Sequence, residues 1–151
     1  MAAGDSQVYG KFTELQMSGG TKVDDGDTLK VLLTTSSYTP DVDTHDFVDD
    51  ITNELGSGDG YTTGGATLGS KTVTYDSANN RTELDCADVS WTFTAAKSPK
   101  WAVLYKDTGT ASTSPLIAYW DLGTLSGITG LLTLQVNAEG MLQFRATAQT
   151  A

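Results

Sequence analysis

The chain has 151 residues and a formal net charge of −10, from 9 basic and 19 acidic residues. That length suits one domain whose core is large enough to fold without a disulfide or a metal. The negative charge argues against direct nucleic-acid binding, because phosphates attract clustered Lys and Arg.

Membrane association and export are also disfavoured by the sequence. No stretch is long and apolar enough to span a bilayer, and Met1 to Ser6 has neither a basic start nor an apolar run. We therefore expect no membrane partner and no signal peptide. The single cysteine, Cys86, cannot form an intrachain disulfide, which fits assembly in a reducing cytoplasm.

Residues 1–27 precede the main run of strand patterns. Gln7 to Met17 mixes apolar and polar residues, as in a first strand or an extended arm, and Ser18-Gly19-Gly20 is turn chemistry. We expect the apolar part of this segment, Val8 to Met17, to pack on a partner subunit. Thr28 to Thr34 follows as a strand whose adjacent apolar residues indicate burial on both faces at one end. We therefore divide the chain into an N-terminal arm or first strand, 1–27, and a single β-rich domain, 28–151.

One short α-helix is predicted after this strand, at about residues 44–55. Pro40 prevents a helix from running through it, and Asp43 or Thr44 can cap the first turn by accepting from free backbone N–H groups. Gly56 supplies a C-terminal stop. The apolar face of this helix would consist of Phe47, Val48, Ile51 and Leu55. Because three turns are marginal in water, we expect the helix to pack on a sheet.

After residue 70, strand patterns recur at short intervals with turn residues between them. The predicted strands are Lys71–Tyr75, Thr82–Cys86, Val89–Phe93, Trp101–Tyr105, Leu116–Trp120, Leu132–Val136 and Leu142–Ala146. The fourth is apolar throughout, which predicts a central strand covered on both faces. The last two, joined by Asn137-Ala138-Glu139-Gly140, form the clearest predicted hairpin. The pattern predicts a mainly β fold, a single-domain antiparallel β-sandwich or barrel with the one helix.

The sequence gives little support to a catalytic function. The only histidine, His45, has Asp43 and Asp46 nearby in sequence, but no serine or cysteine lies in a recognisable nucleophile context. We expect His45 to be a polar surface or capping residue, and Cys86 to be a small buried hydrophobe on a strand. The sequence therefore predicts that the protein is not an enzyme and has no catalytic residues.

Metal and cofactor sites are equally weakly indicated. The spacing Asp41-x-Asp43-x-x-Asp46 and the run Asp24-Asp25-Gly26-Asp27 offer oxygen ligands for Ca²⁺, but neither matches an EF-hand loop. One cysteine and one histidine are too few for a zinc site. We expect turn and capping roles for these aspartates, and no metal or cofactor.

The aromatic residues and the uneven charge leave alternatives open. Trp91, Trp101 and Trp120 are expected in the core, and an exposed sugar-binding platform is the alternative. Val31 to Ser70 contains no Lys or Arg. It carries Asp41, Asp43, Asp46, Asp49, Asp50, Glu54 and Asp59. We expect a solvated acidic surface there.

Three segments together resemble a family of small proteins widespread in tailed bacteriophages, which are virion structural components. The segments are Lys30 to Leu55, then Lys71 to Asp85, and then Trp101 to Gly123 with Leu-Tyr-Lys-Asp-Thr-Gly and Pro-Leu-Ile-Ala-Tyr-Trp-Asp. The resemblance covers most of the chain beyond Lys30, leaves residues 1–27 outside it, and supplies no catalytic residues.

The resemblance implies a position in a virion that is assembled in the host cytoplasm. The charge then favours the outer surface, because the inside of a packaged head faces dense DNA. We expect an exterior capsid decoration (cement) protein. A tail, head-fibre or spike component, possibly a glycan-binding module, is the alternative. The expected partners are further copies of the chain, as a homo-oligomer and most simply a trimer, and the major capsid protein or other virion proteins.

Overall fold

Ten strands and one α-helix are present in the computed structural model, which describes residues 6–146. The ends of the predicted units, residues 1–5 and 147–151, lie outside the described residues. The elements in chain order are β1 (Gln7–Val8), α1 (Gly10–Met17), β2 (Leu29–Thr34), β3 (Ala66–Thr67), β4 (Thr72–Asp76), β5 (Arg81–Asp85), β6 (Val89–Lys97), β7 (Trp101–Lys106), β8 (Leu116–Asp121), β9 (Ile128–Leu134) and β10 (Leu142–Arg145).

The largest sheet has five strands in the order β1-β8-β7-β2-β3. Its central strands β2, β7 and β8 pair antiparallel, and their mostly apolar residues are buried on both faces. Leu32, Val103 and Ile117 are among the side chains with no exposed surface. The expectation of doubly covered strands at β2 and β7 is therefore confirmed.

Two smaller antiparallel sheets complete the fold, one with the order β10-β5-β4 and one made of β6 and β9. Within residues 6–146 the sheets pack as a sandwich-like single domain and do not close into a barrel. The predicted mainly β, sandwich-type fold class with one α-helix is confirmed. No helix of the described part is long and apolar enough to cross a membrane.

The position predicted for the helix, about 44–55, is wrong. Only one 3-10 turn, Val48–Asp50, forms there. The backbone instead joins its neighbours in the sheet: the Val48 N–H donates to the Ser114 carbonyl at 3.0 Å, and the Leu55 N–H donates to the Leu33 carbonyl at 2.9 Å. Tertiary pairing thus supplies hydrogen bonds that a short helix rich in β-branched residues and Asp would have had to make alone.

The helix lies earlier, at Gly10–Met17, within the segment expected as an arm or first strand. Lys, Glu, Leu, Gln and Met are good helix formers, and Lys11 pairs with Glu14 one turn on at 2.7 Å. Gly19, with φ of 75°, ends the helix, and the Gly20 N–H donates back to the Leu15 carbonyl at 2.9 Å. Phe12 anchors the helix in the core with 3% of its surface exposed.

The predicted hairpin between the last two strands is also wrong. β9 pairs with β6, and β10 pairs with β5 in another sheet. The turn itself forms, because the Gly140 N–H donates to the Asn137 carbonyl at 2.9 Å. The next residue, Met141, donates its N–H to the Leu84 carbonyl at 2.8 Å, which directs the chain onto β5. Both strands have an alternating pattern, and that pattern does not specify which strand each one pairs with.

An ion pair links β2 to the residue that directly follows β7. The Lys30 ammonium lies 2.6 Å from a carboxylate oxygen of Asp107, and both side chains are about one-quarter exposed (26% and 23%). The other Asp107 oxygen accepts the Gly109 N–H at 2.8 Å. Lys30, followed by this backbone N–H, lowers the pKa of the Asp107 carboxyl.

Asp107→Asn should show what this charge contributes, since it keeps the shape of the side chain. A carboxyl whose pKa is depressed by folding stabilises the protein above its unfolded-state pKa of about 4, and the contribution is lost as the pH falls through the folded-state pKa. We expect the variant to be less stable by about 1 kcal/mol at neutral pH, and the difference to shrink towards about pH 3. Urea denaturation at both pH values checks this, and an undiminished difference in acid would contradict it.

Candidate functional site

An apolar groove of about 400 Å³ lies between α1 and the three-stranded sheet β10-β5-β4. The helix contributes Phe12, Thr13, Gln16 and Met17, the sheet contributes Val73, Thr82, Leu84, Leu142 and Phe144, and Val23 and Ile117 complete the lining. None of these side chains is charged. The described part of this protein of net charge −10 therefore includes a concave surface without charge.

The pleat of the sheet explains why its side of the groove is apolar. Antiparallel pairing places Leu142 opposite Leu84 and Leu84 opposite Val73, so these three side chains share one face. The next row on the same face is Phe144, Thr82 and Tyr75. The strand alternation of the sequence thus yields a face that is apolar apart from Thr82.

The opposite face of this sheet is polar and carries an ion network. Arg81 is buried (7% exposed) with its guanidinium beside Glu83, 3.0 Å from a Glu139 carboxylate oxygen and 3.4 Å from an Asp76 oxygen. Gln143 also accepts from this guanidinium at 3.4 Å. The network links β4, β5 and β10 on the polar face of the sheet and leaves the apolar face free to line the groove.

The rim of the groove is the most exposed apolar surface of the described part. Met17 is 90% exposed, Phe144 42% and Val73 37%, and Tyr75 on the same face is 58% exposed. The remaining large exposed hydrophobic residue, Leu131, lies on β9 in a different sheet. A buried floor with an exposed apolar rim is typical of a surface that another macromolecule covers.

The N-terminal segment contributes the helical wall of the groove. We expected Val8 to Met17 to be an apolar arm that packs on a partner. Tyr9 and Phe12 are instead buried in the chain's own core, and Met17 is the large hydrophobic residue of the segment that is exposed. β1 pairs with β8, so the segment is joined to the largest sheet.

His45 belongs to a hydrogen-bond chain that fixes this segment. The Asp41 N–H donates to His45 Nδ1 at 3.3 Å, so Nδ1 is an acceptor there. The Tyr38 hydroxyl, 2.9 Å from Nδ1, therefore donates to it, and the Tyr9 hydroxyl, 2.9 Å from the Tyr38 hydroxyl, donates to Tyr38. Burial raises the pKa of Tyr38 to about 12, which keeps it a donor. The His45 ring is thus held by hydrogen bonds from Tyr38 and Asp41.

Tyr38→Phe should be destabilising because Tyr38 is 1% exposed and connects the buried Tyr9 hydroxyl to the partly buried His45 ring. Its loss leaves the Tyr9 hydroxyl and His45 Nδ1 without this hydrogen bond, at a cost of about 1–3 kcal/mol in the free energy of unfolding. Tyr75→Phe is the matched control, since Tyr75 is 58% exposed. We expect it to change stability by less than about 0.5 kcal/mol. Equal effects of the two substitutions in urea denaturation would contradict the structural role of Tyr38.

The aspartates considered as calcium ligands lie in turns and ion pairs. One oxygen of Asp41 accepts the N–H groups of Asp43 and Thr44 at 2.9 and 3.2 Å, so Asp41 is the turn acceptor expected at Asp43 or Thr44. Asp24 pairs with Lys22 at 2.6 Å, and Asp27 pairs with Lys106 at 2.8 Å. Among residues 6–146, no three His, Cys, Asp or Glu side chains are grouped to hold a metal ion.

The tryptophans do not form an exposed platform. Trp91 and Trp120 are each 6% exposed and belong to the core, as expected. Trp101 is partly buried and donates its indole N–H to the Tyr38 carbonyl at 2.9 Å. Cys86 is buried, as expected, but it lies directly after β5 and not on a strand, and burial raises the pKa of its thiol to about 11.

Sequence patterns missed the groove because its walls come from segments far apart in the chain. Phe12, Val73, Leu84, Ile117 and Phe144 meet only after α1, the largest sheet and the three-stranded sheet have packed together. The sequence offered one signal for the groove, the alternating pattern that places the apolar residues Val73, Tyr75 and Phe144 on strands. That pattern does not show which buried residues lie next to them. Comparisons with known proteins found no match to this chain among protein-family models, curated proteins or solved structures.

Proposed function

We propose that this chain is a structural component of a tailed-phage virion, most simply an exterior capsid decoration (cement) protein. In this proposal it acts by binding, not by catalysis, and its partners are the major capsid protein or other virion proteins and further copies of itself. It is assembled in the host cytoplasm and ends on the outer surface of the particle, without contact to nucleic acid or membrane.

The observation that carries the proposal is the uncharged apolar groove with its exposed rim. Covering an apolar side chain such as Phe144 or Met17 removes its surface from water and stabilises a contact by roughly 25 cal/mol per Å². The groove contains no charge that would have to be desolvated. It therefore suits a permanent contact with a protein surface better than capture of a charged substrate.

Two further features support the place and the type of protein. The resemblance of Lys30 to Leu55, Lys71 to Asp85 and Trp101 to Gly123 to phage virion proteins favours a particle component. The net charge of −10 favours its outer side, because packaged DNA repels an acidic protein. Asp41, Asp43, Asp49 and Asp59 are exposed and would face solvent in this arrangement.

A copy count on purified particles of the phage that encodes this chain tests the proposal. A decoration protein should be present in hundreds of copies, and its removal should lower resistance to internal pressure without releasing tails. A handful of copies that fractionate with tails would refute decoration and favour the tail, fibre or spike alternative. Saturable binding in a glycan array would favour a glycan-binding module.

A further inference from the structure

β4 is a free edge of the three-stranded sheet. The sheet order β10-β5-β4 gives it one neighbour, and within the described residues no strand pairs with its other side. Thr72, Val73, Thr74 and Tyr75 are all exposed. The outward N–H and C=O groups of such an edge are available to another strand.

This edge lacks the features that usually prevent pairing with another chain. Edges are commonly protected by Lys, Pro, bulges or very short strands. β4 contains no Lys or Pro and pairs with β5 at five successive positions without a register shift. By contrast, the edge strands β1 and β3 of the largest sheet have two residues each, and the β6–β9 pairing is irregular between Phe93 and Lys97.

The side chains of β4 are complementary to those of a second β4. Antiparallel pairing about a two-fold axis at Thr74 places Thr74 opposite Thr74 of the second copy, and Val73 opposite its Tyr75. On the apolar face of the joined sheet, the β-branched Val73 then lies beside the aromatic Tyr75 of the second copy. On the other face, Thr74 lies beside Thr74. The one charged residue, Asp76, lies at the strand end, opposite Thr72 of the second copy, so no like charges are opposed.

We propose that β4 pairs with β4 of a second copy in this register, which joins two three-stranded sheets into one of six strands. The inference deepens the self-association that belongs to the proposed function. The contact is isologous and closes at two copies, so it would connect neighbouring assemblies and not build a trimer by itself. Because Val73 also lines the groove, the grooves of the two copies would become neighbours.

The contact should be weak in dilute solution and strengthened by salt. A five-residue strand pair is smaller than the roughly 800 Å² per partner of a stable interface. Two chains of charge −10 also repel one another, while the contact strand from Thr72 to Tyr75 is uncharged. Raising the ionic strength from about 0.1 to 1 M shortens the screening length from about 10 to 3 Å. Sedimentation at the two ionic strengths should therefore show more dimer in high salt.

Cysteine cross-linking tests the register directly. In the Thr74→Cys variant, the two thiols lie opposite each other at a Cα separation of about 4.5–5.5 Å, which suits a disulfide. In the matched Thr72→Cys variant, the thiols lie roughly 14 Å apart along the strand. Both positions are exposed on the same face, and the native Cys86 is buried, so it does not compete.

We expect Thr74→Cys to form the disulfide-linked dimer at least about 10-fold faster than Thr72→Cys under mild oxidation, with circular dichroism confirming that both variants fold. Equal rates, or no dimer from either, would overturn the proposed pairing, as would less dimer of the unmodified chain in high salt. The experiment uses the isolated chain, so it can fail while the copy count on particles still supports decoration, and the reverse also holds.

Discussion

Replacing Phe144 with glutamate is expected to weaken binding of this chain to phage particles by about 30-fold or more, if the groove is the docking surface. Phe144 is 42% exposed, and its ring centroid lies 6.4 Å from that of Phe12 in the groove wall. The substitution removes apolar surface that the contact would cover, and it requires burial of a charge. A loss of about 2 kcal/mol corresponds to about 30-fold in affinity.

Two matched variants make this result specific. Met17→Glu changes a residue that is 90% exposed at the groove rim, so it should reduce binding without affecting the fold. Leu131→Glu makes the same chemical change at a residue that is 71% exposed on β9, away from the groove. The variants are added back to stripped particles, and thermal melting checks that each one folds. We expect reduced binding for Phe144→Glu and Met17→Glu and full binding for Leu131→Glu. Equal binding of all three variants would contradict the assignment.

Phe12→Ala is expected to have the largest effect on stability. Phe12 is the one buried residue of α1, and truncation of a buried Phe costs about 3–5 kcal/mol. A helix of eight residues has little stability of its own, so loss of this anchor should release α1 and remove one wall of the groove. Hydrogen exchange should then accelerate across Gly10–Met17 before it does so in β7.

Thr13→Ala is the control for this substitution, because Thr13 is the exposed neighbour on the same helix. We expect it to change the free energy of unfolding by less than about 0.5 kcal/mol. Urea denaturation that places Phe12→Ala within about 1 kcal/mol of the parent would show that α1 is held by something other than this side chain.

The strands that the sequence predicts best are those whose pattern needs no knowledge of a neighbour. β2 and β7 are apolar on both faces, and their continuous runs are sufficient to indicate central positions. The hairpin of β4 and β5 is likewise local, because residues 77–80 turn the chain between them. Its apolar face is visible in the alternation, although the groove that this face lines is not.

Two of the errors, the helix expected at 44–55 and the hairpin expected between the last two strands, have a common physical cause. Residues 44–55 have an apolar spacing suited to a helix, and β9 and β10 alternate as hairpin strands do. In each case a partner distant in sequence supplies better backbone hydrogen bonds: Leu33 and Ser114 for the first segment, Leu84 for the last strand. The local sequence pattern determines which side chains form an apolar face. Pairing with strands distant in sequence determines whether the segment becomes a helix or a strand, and which strand it pairs with.

The most direct test of the central claim is photo-cross-linking from the groove rim in assembled particles. A photoreactive amino acid at position 17, where Met17 is 90% exposed, reports what lies against the groove. The same group at position 131, where Leu131 is 71% exposed on β9, reports a surface outside the groove lining. We expect position 17 to cross-link to the major capsid protein and position 131 to give little product. Cross-links from position 17 only to tail proteins, or equal yields from both positions, would contradict docking of the groove on the capsid shell.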